Sequence, residues 1–154
     1  MDLANALSAQ FWLKILITLL CGGLIGFERQ WRGKPAGIRT SILICLGTEV
    51  FVSFGALLHS PAADPARVVG QVITGVGFLG AGVIMGKEGI VKGVTSAAVI
   101  WILAAIGVVI GTGYLFTALA LTLVTVSILV GVEILESSFK KLRKGAHSHY
   151  HQGE

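Results

Sequence analysis

Apolar residues run through this chain in long blocks without strand-like alternation, and most charged residues fall between the blocks. Five blocks stand out: Phe11–Phe27, Thr40–Leu58, Val68–Met85, Val94–Gly111 and Tyr114–Leu135. Each is close to the ~20 residues a helix needs to cross a bilayer core. In hydrocarbon the backbone must hydrogen-bond to itself, so such blocks are read as helices. The pattern predicts an all-α fold, a polytopic membrane helix bundle with about five transmembrane helices. Only Thr112-Gly113 separates the fourth block from the fifth, which predicts a tight antiparallel hairpin. Residues 1–135 are expected to form the transmembrane domain, and residues 136–154 a basic, polar cytoplasmic tail.

The third block is rich in glycine, with Gly75, Gly77, Gly80 and Gly82 inside nine residues. Glycine weakens helices in water, but between membrane helices it allows close backbone approach. This block is therefore expected at the crowded middle of the bundle. Gly75-x-Gly77-x-x-Gly80 also matches a dinucleotide-binding fingerprint in form. That motif requires a preceding strand and an acidic residue about 20 positions on, and both are missing here. Gly22 and Gly26 in the first block, and Ala104, Gly107 and Gly111 in the fourth, mark further packing faces.

Composition supports the membrane reading, with 54% hydrophobic and only 13% charged residues. No basic segment precedes the first block and no small-x-small pattern follows it, so a secretory leader is not expected. The net charge of +4 does not point to nucleic acid, because the basic residues flank the apolar blocks and fit topology and anionic lipid. Arg29, Arg32, Lys34 and Arg39 follow the first block, Lys87 and Lys92 the third, and Lys140, Lys141, Arg143 and Lys144 the fifth. Five spans put all of these on one side and leave Lys14 and Arg67 toward the other. The positive-inside rule then places the N-terminus outside and the C-terminus in the cytoplasm. Cys21 and Cys45 lie inside apolar blocks and read as small packing residues.

Glu28 and Arg29 close the first span, and Arg39 and Thr40 open the second at the same level. Glu28 and Arg39 are expected to pair in a partly dry place, with a solvated loop as the alternative. Glu49 is the single carboxylate at the centre of a span, and must face the bundle interior, be protonated, or both. The antiparallel third span is expected to offer it Thr74 and Gly75. Asp64-Pro65 reads as a helix N-cap followed by proline in the first turn, with Arg67 close behind. Gln71, one turn into the membrane, needs a partner across a helix interface. The histidines, His59 and the tail's His147, His149 and His151, read as solvated, and no set of residues supports catalysis.

Several stretches together resemble the MgtC/SapB family of bacterial inner-membrane proteins. They are Gly22-Gly23-Leu24-Ile25-Gly26-Phe27-Glu28-Arg29-Gln30, Lys34-Pro35-Ala36-Gly37-Ile38-Arg39-Thr40, Asp64-Pro65-Ala66-Arg67, the run Gly70 to Ile84, and Val91-Lys92-Gly93-Val94-Thr95-Ser96-Ala97-Ala98-Val99-Ile100-Trp101. The resemblance covers nearly all of residues 11–135 and implies a multi-pass protein of the bacterial inner membrane, linked to magnesium limitation and to virulence. Within it Glu28, Arg29, Arg39, Thr40, Asp64, Arg67, Gln71 and Thr95 are the polar candidates for function, with Glu49 a departure from the family's usual small or apolar residue. Gln30 is a second departure, standing where a glutamate is common. The expected form is a short one, without the soluble C-terminal domain of longer relatives. It implies no cofactor and no enzymatic activity, with magnesium a possible ion. Membrane lipids, further copies of the chain and another inner-membrane protein such as the F-type ATP synthase are the implied partners. Two readings of function stay open: regulation through contact with other membrane proteins, and transport of magnesium or another cation.

Overall fold

The computed structural model describes residues 8–57, 64–87 and 90–138. His59, Glu88 and the C-terminal lysines and histidines lie outside these residues. Five helices follow one another: α1 Ala9–Trp31, α2 Ile38–Leu57, α3 Pro65–Gly82, α4 Val94–Gly111 and α5 Leu115–Ser138. α1, α2, α4 and α5 are long and apolar enough to cross a membrane, whereas the apolar part of α3 is shorter, at Ala66–Gly82. At 1.5 Å per residue, 17 residues span about 25 Å, a little under a typical ~30 Å hydrocarbon core.

The helix starts follow local chemistry. Ser8 caps α1, its side chain accepting from Phe11 N at 3.2 Å. Asp64 caps α3 by accepting from Ala66 N at 2.9 Å, as Asp64-Pro65 predicts. Gly33 and Ala36, both at φ 62°, turn the chain from α1 into α2. Thr112-Gly113 makes the expected tight turn from α4 into α5, with Gly113 at φ 92°.

Close packing is concentrated where α1 and α4 meet α2. A Cβ built on Gly22 would lie 2.8 Å from Ile42 Cα, and one on Gly26 would lie 2.6 Å from Ile38 Cα. On α4, a Cβ on Gly107 would lie 2.5 Å from the Cys45 carbonyl oxygen, and one on Gly111 would lie 2.8 Å from Val52 Cβ. Contact between backbones at this range needs glycine on one side. Half of the α4 span is buried, against 17% of the α5 span, so α4 is the central helix. Its Leu103, Ile106 and Ile110 are fully buried together with Cys21, Ile25 and Cys45, which serve as the expected packing residues.

Two expectations are corrected. α3 is not the crowded middle: among the described residues nothing lies within 4 Å of a Cβ built on Gly70, Gly75, Gly77 or Gly82, and of these α3 glycines only Gly80 faces a neighbour, Ala97 at 3.7 Å. A glycine stripe permits close approach without requiring it, and here it lies largely on an open face. The third block also stops short of Met85. α3 ends at Gly82, and Met85–Lys87 pairs antiparallel with Ile90–Lys92 as a short hairpin, β1 and β2. Three-residue strands are too short to show an alternating pattern. Gly93, at φ 92°, then starts α4 where a Cβ would collide with the Val83 carbonyl, so no side chain fits.

Candidate functional site

Two polar clusters are buried at opposite ends of α1. The first is built on Lys14, near the start of that helix. Lys14 Nζ donates to the Gly111 carbonyl oxygen at 2.7 Å and to Ser53 Oγ at 2.9 Å. Ser53 Oγ donates to Glu49 Oε1 at 2.7 Å, and lies 3.3 Å from the Gly111 oxygen. Glu49 is 1% exposed, and its second oxygen, Oε2, is buried without a hydrogen-bond partner. Glu49 and Ser53 stand one turn apart on α2, so their side chains meet on one face. Gly111 is the last residue of α4, where carbonyls have no donor from their own helix and the helix dipole is negative. An ammonium is well placed there. The expectation that Thr74 would serve Glu49 is corrected: Thr74 is exposed and donates back to the Gly70 carbonyl at 2.9 Å. Its direct partner is Ser53 of its own helix, and Lys14 reaches Ser53 from α1 because α1 and α4, not α3, pack closely on α2.

The second cluster closes the other end. Glu28 is 8% and Arg29 4% exposed. Arg29 crosses to α4, donating from a guanidinium NH2 to Ser96 Oγ at 2.7 Å, and its Nε is buried without a partner. Arg32 Nε lies 2.7 Å from Glu28 Oε1, an ion pair too poorly aligned to count as a hydrogen bond, so both Glu28 oxygens lack a donor. The same guanidinium pairs with Glu133 on α5. The expected Glu28–Arg39 pair is therefore not formed. Arg39 is exposed in the first turn of α2, while Arg32 follows Glu28 by four residues and continues the same face of α1. Gln30 ties down the next loop, its side-chain oxygen accepting from Ile38 N at 3.3 Å. Thr40 and Thr95 are exposed and belong to neither cluster.

A third feature faces outward. α2 and α3 diverge around a groove of about 590 Å³, lined on one wall by Leu43, Gly47, Thr48 and Phe51 and on the other by Gln71, Gly75 and Leu79. Arg67 stands at one end of it. Gln71 is exposed and has no hydrogen-bond partner among the described residues. No three His, Cys, Asp or Glu side chains converge among the described residues.

The arrangement is that of a membrane protein with buried polar clusters at both ends of its first helix, and comparison with known proteins defines its kind. The model of the MgtC family matches residues 15–138. The chain belongs to the MgtC family. Protein MgtC of Brucella abortus (strain 2308) is 45% identical over 132 residues, which take in 82% of this chain and 54% of that protein. Protein MgtC of Salmonella typhimurium (strain LT2) is 46% identical over 113 residues, 73% of this chain and 48% of that protein. The chain thus spans about half the length of these curated relatives. No solved structure matches. Within this MgtC-family member, sequence reasoning located Glu28, Arg29 and Glu49 but missed how they are held. It treated Lys14 only as a topology charge and gave Ser96 no role. Helical spacing carried part of the missing signal, since Glu28 and Arg32, like Glu49 and Ser53, are four apart. The contacts between helices carried the rest.

Proposed function

We propose that this MgtC-family protein acts in the bacterial inner membrane as a regulatory partner of another membrane protein, under magnesium limitation, without catalysing a reaction. The observation that carries this reading is the α2–α3 groove, where Gln71 and the open glycines Gly47 and Gly75 meet the surroundings. An amide facing lipid has lost its water and gains from a polar partner on another helix, while bare glycines let that helix come close. The basic residues at one end support a cytoplasmic C-terminus. Self-association uses the same kind of surface, and the membrane sector of an F-type ATP synthase is a candidate partner built of helices.

A magnesium path past Glu49 is less well supported. Mg²⁺ takes six oxygen ligands with near-octahedral geometry. Glu49 offers one carboxylate, already linked through Ser53 to an ammonium. The test has two arms. A photo-crosslinking residue at Gln71, in bacterial membranes, is expected to couple to a helix of the ATP synthase membrane sector. Coupling only between copies of the chain would replace the reading with self-assembly. Magnesium flux from proteoliposomes, lost in Glu49→Gln, would overturn it in favour of transport.

A further inference from the structure

We propose that Lys14, Ser53 and Glu49 form a proton-exchange site inside the bundle, opening at the end where α1 begins. Glu49 lies eleven residues into α2, about 16 Å along the helix axis, and is closed off from solvent. Lys14 lies five residues into α1 and is only half-buried. Ser53 is placed between them, within hydrogen-bond distance of both. The three side chains make a continuous hydrogen-bonded line from a partly exposed amine to a buried carboxylate. Among the described residues Lys14 makes no direct contact within 4.0 Å of that carboxylate, so the hydroxyl is the required link.

The step balances without any other reactant. A Lys14 N–H bond breaks as a new Ser53 O–H bond forms. The original Ser53 O–H bond breaks as the proton passes to Glu49 Oε1. Ammonium and carboxylate become amine and carboxylic acid, two neutral groups. The hydrogen bonds survive with their directions reversed: the acid donates to Ser53, and Ser53 donates to the amine. Lys14 still has N–H groups for the Gly111 carbonyl. Both charge states are thus satisfied by one geometry, which suits a site that changes state without moving helices. Exchange with bulk water then takes place at Lys14.

The surroundings offer few competing groups. α4 carries no titratable side chain between Val94 and Gly111, and meets the cluster through the Gly107 and Gly111 backbone. On α2 the nearest titratable neighbour is the thiol of Cys45, one turn away, and Cys21 on α1 lies beyond it; both are buried. From α3, Arg67 is exposed on the groove. On α5, Glu133 pairs with Arg32 at the other end of the bundle. Glu49 Oε2, buried and without a donor, is better tolerated on a neutral acid than on a carboxylate.

Infrared difference spectroscopy of the purified protein in lipid nanodiscs tests this. In the unaltered chain a protonated-carboxyl band should grow as pH falls and shift when H₂O is replaced by D₂O. Glu49→Gln, which keeps an acceptor for Ser53, should lose the component of that band due to Glu49 and leave that of the other carboxyl groups. Ser53→Ala should slow the D₂O shift by on the order of 100-fold, the lower end of what a positioned proton-transfer group contributes. Should a variant fail to fold, the titration and D₂O shift of the unaltered chain decide. The Glu49 component is the difference between the unaltered chain and Glu49→Gln. A component that is absent, that does not titrate or that does not exchange overturns the proposal, as does a D₂O shift of that component unchanged in Ser53→Ala.

Discussion

Replacing Gly107 with alanine should unfold the protein more readily than the same change at Gly75, although sequence alone puts the sensitive glycines on α3. The added Cβ at Gly107 would sit 2.5 Å from the Cys45 carbonyl oxygen, 2.8 Å from Thr48 Cβ and 3.2 Å from Glu49 N. Two of these three atoms are backbone and cannot swing aside, so α4 and α2 must separate. A radial gap of 0.5–1 Å forfeits roughly a quarter to a half of each dispersion contact it opens. Overpacking of a filled interior costs about 1–3 kcal/mol. At Gly75 nothing lies within 4 Å of the new Cβ. There alanine relieves the helix of a flexible residue, a gain of up to about 1 kcal/mol in water. The two variants should therefore differ by about 1–4 kcal/mol, Gly107→Ala being the weaker. Titration with a denaturing detergent in mixed micelles, followed by tryptophan fluorescence, gives the comparison directly. Equal midpoints, or a greater loss at Gly75, would refute the assignment of α4 as the central helix and α3 as peripheral.

Arg32→Ala strands the buried Glu28 carboxylate and releases Glu133; because Arg32 is one-fifth exposed, the expected cost is about 2–3 kcal/mol, below that of a fully buried pair. Arg39→Ala, at an exposed site, should stay within about 0.5 kcal/mol in the same titration. Ser96→Ala removes the hydroxyl that accepts from Arg29 and should cost about 1.5–3 kcal/mol, the range for hydrogen bonds to charged groups, with Ser96→Thr recovering part of it. Gly75→Leu fills open space in the groove, so it should leave the unfolding midpoint unchanged while abolishing crosslinks from Gln71; retained crosslinks would show that no helix docks there.

The bundle was legible in the sequence because hydropathy acts over whole blocks, and the five blocks became five helices. The Asp64-Pro65 start and the Thr112-Gly113 turn were legible because they are local, each satisfied within a few residues. The burial of Glu49 followed from the cost of placing a charge in hydrocarbon, but its partner did not. Lys14 precedes Ser53 by 39 residues and Gly111 by 97, and nothing in the spacing joins them. The Glu28–Arg39 pairing failed for a related reason. Two residues at the same depth on neighbouring helices need not face each other, while a residue four positions along the same helix does. Glycine misled in the other direction: Gly22, Gly26, Gly107 and Gly111 are crowded, whereas four of the glycines in the richer α3 stripe meet nothing.

The two clusters also explain why α1 matters beyond its packing against α2. Lys14 ties the start of α1 to α2 and to the carbonyl end of α4, and Arg29 ties its other end to the start of α4. Arg32 adds α5 through Glu133. α1 is thus pinned at both ends by hydrogen bonds made where water is scarce, and such bonds resist sliding and rotation because any displaced charge is left unpaired. Among the described residues α3 has no comparable polar tie to the other helices: its contacts are apolar, among them Val68 against Gly55 of α2, Gly80 against Ala97 of α4, and Val76 in the core. Small apolar contacts of this kind can re-form after a shift without stranding a polar group. Adjustment to a neighbouring membrane helix therefore falls to α3, which carries Gln71 and the open glycines, while α1, α2 and α4 hold Glu49 and its hydrogen-bonded line in fixed register.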